Sequence, residues 1–364
     1  MRRIRLARSA TIAGKPHGAL RATAPREMST REFTEVAAAV ILRADGGFLL
    51  GRRAAGTFYP GYWEFPGGKC EPGEPAACAL ARELEEELGI RVRHCEPWIV
   101  RTHAYPHANV RLHFFRVRAW SGEIAPRVHA ALAWQRAGAV TVAPVLPANA
   151  PVLRALSLPD FYAITHAGEI GIPSQLAALD AAIAAGVRMV QLREPLLSGG
   201  ARRAFAVALV EKCHAHGVRV LVNSGAPIGA DSGADGLHLS SARLMACRER
   251  PAAPWVAASC HDERELARAA ALGLDFVVLG PVRRSASHPQ RAGMGWERFG
   301  ALIRGYPLPV YALGGMRAED AGRARSLGAQ GIAAIRAAWA PGGAAYSPLS
   351  ASPESGRASG SGMR

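Results

Sequence analysis

The sequence predicts an α/β chain in two parts: a small mixed sheet with helices over residues 33–158, then a (β/α)8 TIM barrel over 159–338. Three observations carry this. Asp45-Gly46 separates two strand-like runs, a strong hairpin signal. A glycine-rich loop, Gly67-Gly68, opens onto a helix with leucines every fourth residue. From Asp160 onward, eight short β-rich runs alternate with Ala-rich stretches. A length of 364 residues exceeds one usual core, and 49% hydrophobic with 20% charged residues is ordinary for a globular protein.

Residues 1–32 carry Arg2, Arg3, Arg5, Arg8, Lys15, Arg21, Arg26 and Arg31 without an apolar core pattern. A basic arm for nucleic acid, a transit-like sequence and a start at Met28 are the three readings. A disordered basic extension or a start at Met28 is the preferred expectation. Strands follow at Glu35–Arg43 and Gly47–Arg52, then a helix entered at Pro75 and left at Gly89, a strand at Val110–Trp120 and a helix near Pro151–Leu156.

Leu80, Leu84 and Leu88 form the core-facing stripe of the helix between Pro75 and Gly89, and Glu83, Glu86 and Glu87 stand at i, i+3 and i+4 on one flank. Unpaired like charges so placed destabilise a helix, and a hard cation with oxygen ligands is the usual reason to keep them. The alternative is a solvated amphipathic helix. Arg82 is expected to pair with the acidic cluster, first with Glu74, which equally describes a plain salt bridge.

The run Gly68-x5-Glu74-x7-Arg82-Glu83-Leu84-x-Glu86-Glu87-x-Gly89-Ile90, after Glu64-Phe65-Pro66-Gly67, resembles the box of the Nudix hydrolases, and its surroundings resemble the MutT branch, which removes oxidised guanine nucleotides. The resemblance implies an α/β/α sandwich and Mg2+-dependent hydrolysis of a nucleoside triphosphate, 8-oxo-dGTP to 8-oxo-dGMP and pyrophosphate, with Mn2+ as a substitute. It also implies that Glu83, Glu86 and Glu87 with the carbonyl of Gly67 or Gly68 hold the metal. Glu83 and Glu86 are the catalytic candidates, and Glu74 and Arg82 support them. Asn149, in Pro147-Ala148-Asn149, matches the residue that reads the oxidised purine edge, and an amide suits that task because it both donates and accepts. A loop Asn beside Pro is its alternative. Arg53 is a nucleotide contact and Phe65 a base-pocket wall by the same resemblance, against a surface Arg and a core Phe. The branch often carries a glutamate before Trp134, where this chain reads Arg127-Val128-His129-Ala130. An auxiliary carboxylate is therefore missing, and His129 is the group there able to compensate.

The barrel strands are expected at Phe161–Thr165, Val187–Arg193, Val218–Asn223, Gly236–Leu239, Trp255–Ala258, Phe276–Leu279, Val310–Leu313 and Gly331–Ile335. Their carboxyl ends carry Gln191, Arg193, Asn223, His238, Ser259 and His261, while Gly314 and Gly315 are the anion candidates. These signatures resemble thiamine phosphate synthase and its tautomerase-like relative TenI. That synthase holds magnesium with aspartates where this chain has Ser224 and Arg243, a Lys is replaced by Pro195, and another by His288. The resemblance therefore implies the fold while arguing against synthase chemistry. What remains is a metal-free proton transfer by His261, a site for a phosphorylated small molecule, or a scaffold. A thiamine-pathway pyrophosphate is the alternative substrate for the hydrolase.

No apolar run approaches bilayer length, so no membrane partner is expected. Cys70, Cys78, Cys95, Cys213, Cys247 and Cys260 show no paired or finger spacing, which fits a cytoplasmic chain without disulfides or zinc. The net charge of +15 suits phosphorylated substrates, and a nucleic-acid partner is not expected. The Gly, Ser, Ala and Pro tail, residues 339–364, is expected to be disordered.

Overall fold

The computed structural model describes residues 32–223, 232–284 and 292–340. The basic segment, Ser224, His288 and the tail beyond residue 340 lie outside the described residues.

The first part is built on two three-stranded sheets. One runs β1 (Phe33–Ile41), β5 (Asn109–Ser121), β4 (Arg91–Ala104); the other runs β3 (Trp63–Glu64), β2 (Gly47–Arg52), β6 (Ala131–Arg136). Alternation along β1 sends Ala37, Ala39 and Ile41 toward α1 (Ala76–Leu88), where Leu80, Leu84 and Leu88 are fully buried. Ala38 and Val40 face the other way, onto Phe48, Phe65, Phe114 and Val152 of α2 (Ala150–Leu156). One helix thus covers each face of the sheet layer, the expected sandwich. Gly89 closes α1 in the left-handed region at φ 74°, and the Arg127 side chain donates to the Glu85 carbonyl, supplying a basic cap that the last turn lacks.

The hairpin expectation needs a correction. The Asp45-Gly46 turn forms, with Gly47 N–H donating to Asp45 Oδ1 at 2.9 Å, but β1 and β2 meet only through the bridge Leu42–Phe48 and then enter different sheets. Nine consecutive parallel pairs bind β1 to β5, and β2 pairs with β6, so the turn is a crossing between sheets. The sequence reading also missed β4 and β6. In β4, charged residues and Pro97 break the alternation, and the ladder with β5 shifts register on both sides of His94.

The second part is a closed barrel of eight parallel strands: β7 (Phe161–Ile164), β8 (Met189–Leu192), β9 (Arg219–Asn223), β10 (Gly236–Leu239), β11 (Trp255–Cys260), β12 (Phe276–Leu279), β13 (Val310–Leu313) and β14 (Gly331–Ala334). Around it among the described residues lie α3 (Ala167–Ile170), α4 (Ile172–Ala184), α5 (Gly199–His214), α6 (Ser241–Ala246), α7 (Glu263–Ala271), α8 (Gly295–Ile303) and α9 (Asp320–Ser326). Tyr162, Met189, Leu221, Phe276 and Tyr311 fill the lumen, while alternate residues such as Val190, Val220 and Val277 pack outward. Leu158 joins the lumen cluster.

The edge strand β4 does not face water along its whole length. Val100 N–H donates to the Tyr306 carbonyl at 3.2 Å, and Trp98 Nε1–H donates to Gln330 Oε1 at 3.1 Å. Arg116 of β5, 2% exposed, donates to the carbonyls of Ala329 and Gln330 and stacks on Trp98. These barrel groups precede β13 and β14, so the sheet rests on the amino-terminal floor of the barrel. Covering an edge strand in this way removes an aggregation-prone ladder.

Candidate active site and barrel mouth

The loop before α1 places backbone groups against the glutamates. Gly67 N–H donates to Glu87 Oε2 at 3.0 Å, and the Gly68 carbonyl accepts from Ala37 N–H at 2.9 Å, which fixes the loop on β1. A Cβ on Gly68 would lie 2.3 Å from the Glu83 carboxylate carbon, so the carboxylate occupies the space that a side chain at this position would take. Burial pushes the Glu87 carboxyl up to about 7, opposed by His129 and the Gly67 N–H. Arg82 holds Glu74 with two donors at 3.2 and 2.9 Å, reaches Glu83 at 2.9 Å and lies 3.7 Å from Glu86. Glu74 is the larger cause and Glu83 the next in raising the Arg82 guanidinium above its ordinary value. Glu83 and Glu87 therefore face the loop together, whereas the Glu86 side chain is 59% exposed and stands apart.

Arg53 forks onto both oxygens of Glu64 at 2.8 and 2.7 Å and donates to the Phe58 carbonyl. Phe65 lies in the core, edge-on to Phe114, so its ring is committed to packing. Asn149 is 3% exposed and its Nδ2 has no hydrogen-bond partner. His129 is also buried, flat against Gly51, with Nε2 3.8 Å from Glu64 Oε1 and Nδ1 unpartnered. The loop histidine of the sequence is thus a buried neighbour of the acidic site.

The sequence reading missed an aromatic wall beside these residues. Tyr105 meets Tyr59 at 5.5 Å and His107 at 5.5 Å, His107 stacks on the exposed Phe58 at 4.4 Å, and the Tyr105 phenol bonds to the backbone of Ala148. The crowding of aromatics in Phe58-Tyr59-Pro60-Gly61-Tyr62-Trp63 and His103-Ala104-Tyr105-Pro106-His107 was the available signal.

At the carboxyl ends of the barrel strands, a cavity of about 1550 Å³ is lined by Gln191, Arg193, Asn223, Ser259, His261, Gly314 and Gly315. His238 lies beneath it: Nε2 is 2.9 Å from Ser259 Oγ and Nδ1 is 3.3 Å from the Tyr162 hydroxyl. Burial, then Arg193, hold the His238 imidazole down to about 3. His261 is gripped by Glu265 through both Nδ1 and its own N–H. Arg283, Arg284, Arg317 and Arg336, absent from the sequence expectations, also line the cavity.

Comparison with known proteins divides the chain in the same way. The family described as "NUDIX domain" matches residues 33–156, and that described as "Thiamine monophosphate synthase" matches 161–338. Over 124 residues the chain is 39% identical to a CTP pyrophosphohydrolase of Escherichia coli, 34% of this chain and 91% of the relative. Over 97 residues it is 36% identical to an 8-oxo-dGTP diphosphatase of Proteus vulgaris, 27% of this chain and 87% of that one. Over 180 residues it is 33% identical to a putative thiamine-phosphate synthase of Geobacter sulfurreducens, 48% of this chain and 84% of that one. The chain belongs to both families. It is a Nudix hydrolase of MutT type fused to a thiamine phosphate synthase-like barrel.

Nudix hydrolases generally use a divalent metal, and the donors here suit one. They are hard oxygens, and the missing Cβ of Gly68 brings the Glu83 carboxylate against the loop. Among the described residues no three Asp, Glu, His or Cys side chains stand grouped at metal-holding distance, and Arg82 lies 2.9 Å from Glu83 and 3.7 Å from Glu86. In the barrel, Arg243 lies on α6, where its N–H donates to Ser240 Oγ. Pro195 is exposed beyond the mouth.

Proposed function

We propose that residues 33–158 hydrolyse 8-oxo-dGTP to 8-oxo-dGMP and pyrophosphate, and that the barrel of residues 159–338 lacks thiamine phosphate synthase chemistry. The observation that carries the substrate reading is the buried Asn149 amide, whose Nδ2 has no hydrogen-bond partner. A carbonyl on a purine edge satisfies it, and the adjoining Tyr105 offers a ring face for stacking. Glu83, Glu86 and Glu87, with the carbonyl of Gly67 or Gly68, are the groups proposed to hold Mg2+ or Mn2+. A bound divalent cation supplies positive charge against the diphosphate oxygens. Glu83 orients the attacking water and takes its proton, while Arg82 and Glu74 fix Glu83 from behind. Water attacks phosphorus at the anhydride between the α and β phosphates, the bridging P–O bond breaks, and 8-oxo-dGMP and pyrophosphate leave, which removes the oxidised nucleotide from the pool. Arg53 acts through Glu64 and Phe58, shaping the wall. In the barrel, the arginine-lined mouth is a site for a phosphorylated small molecule.

The full chain is the material for the test. Turnover of 8-oxo-dGTP, dGTP, CTP and thiamine diphosphate is compared in one assay of product release. We expect 8-oxo-dGTP to lead, Asn149→Ala to erase its advantage over dGTP, and Glu86→Gln or Glu87→Gln to lower kcat by roughly 10²-fold or more. A lead by CTP or thiamine diphosphate sinks the oxidised-purine reading. Undiminished turnover in both glutamine variants sinks the ligand assignment.

A further inference from the structure

We infer that the floor of the barrel positions the nucleotide-binding wall of the hydrolase, so that Arg154 and Arg101 are positioning residues for a reaction they never touch. The inference rests on the proposed reading of Asn149 and Tyr105 as that wall.

Both sides of the wall are clamped to the barrel a few residues away. Asn149 immediately precedes α2 without a side-chain capping bond, and five residues on, about 7 Å along the helix axis, Arg154 fastens the other end. Its Nε lies 2.6 Å from Asp275 Oδ1, its Nη2 donates to the Pro254 carbonyl, and its guanidinium stacks 3.8 Å from the Trp255 ring centroid. Asp275 is itself immobilised: Oδ2 accepts from Arg250 at 2.6 Å and from Val256 N–H at 2.7 Å. Arg219 adds a donor to the Ser157 carbonyl just past the helix.

On the other side, Tyr105 follows β4, whose Val100 N–H donates to the Tyr306 carbonyl and whose Arg101 Nη1 donates to the Pro307 carbonyl at 3.1 Å. Tyr306 is held in turn by its hydroxyl on the Leu266 carbonyl at 2.8 Å. The two sides meet where the Tyr105 phenol bonds to Ala148, one residue before Asn149. The wall is therefore an arch whose two feet stand on the barrel. The metal-proposed glutamates stand outside it, since α1 packs on the opposite face of the sheet layer. Releasing a foot should loosen nucleotide placement while leaving the acidic site as it is.

Arg154→Met and Arg101→Met in the full chain test this. Methionine keeps the apolar stem and removes the donors. We expect KM for the nucleoside triphosphate to rise roughly tenfold with kcat held within about twofold, and Arg154→Lys to fall between wild type and Arg154→Met. Amide hydrogen exchange should quicken at residues 101–108 and 147–153 and stay unchanged in α1. A lowered melting temperature with unchanged KM and unchanged local exchange assigns these arginines to stability alone and overturns the inference. Exchange needs no turnover, so if the wild-type chain hydrolyses no nucleoside triphosphate, the function fails separately and exchange still decides the anchoring.

Discussion

A carboxamide donor sealed from water without an acceptor costs about 1–3 kcal/mol, and Asn149 carries one. His129 does the same with Nδ1, which makes the region around Glu64 and Glu87 a store of unmet polar demand. His238 poses a different problem. Its imidazole titrates near 6.5 when unfolded and about 3 when folded, because burial penalises the cation. Between those two values the unfolded chain binds the extra proton, so stability is intact above pH 6.5 and declines as pH falls toward 3. From pH 6.5 to 5 this group alone should remove about 2 kcal/mol. Urea midpoints across that interval should decline less steeply in His238→Gln; equal slopes in both proteins contradict the account. Individual residue identities were readable where a spacing rule fixed them, as with Glu74, Arg82 and the leucine stripe. They were not readable where burial decides, since nothing local told His129 in a polar-looking stretch from a solvated histidine.

The box helix, α1, shows how an element borrows what its own sequence lacks. It has no acidic residue in its first turn and no basic residue in its last, yet Arg127 from forty-two residues downstream caps the Glu85 carbonyl, and its backbone N–H donates to the Glu87 carbonyl. Arg127→Ala should cost about 1 kcal/mol through the lost cap, read as a lower melting temperature and faster exchange in residues 85–89. An unchanged melting temperature and exchange show that the backbone contact suffices. Strand positions in the barrel were legible because every unit repeats one pattern: a short apolar run, then a helix. In the hydrolase half, local patterning found β1, β2 and β5 but not the partners of the first two, because pairing is a long-range choice that the Asp45-Gly46 turn does not dictate.

At the scale of the whole molecule, the two families meet through a buried junction, which bears on excision. A fragment from Met28 to Leu158 is expected, on sequence alone, to retain magnesium-dependent hydrolysis. The junction changes that expectation, because the cut strips Trp98 and Arg116 of their barrel partners and removes Leu158 from its place beside Tyr162 and Met189. We expect the fragment to lose on the order of 3 kcal/mol relative to the same region in the full chain, measured as a shift in denaturant midpoint of the hydrolase signal. Matching midpoints refute a supporting role for the barrel. Family and barrel closure were legible in sequence, whereas the junction was not, since Arg116 and Gln330 look like ordinary polar residues until 214 positions of separation collapse to a hydrogen bond.

The hydrolase stands on the strand-start end of the barrel, while the large cavity opens at the strand-finish end. A ring of eight strands separates footing from opening, so substitutions that retune the opening leave the footing untouched, and the barrel can shore up the hydrolase whatever ligand its far end takes.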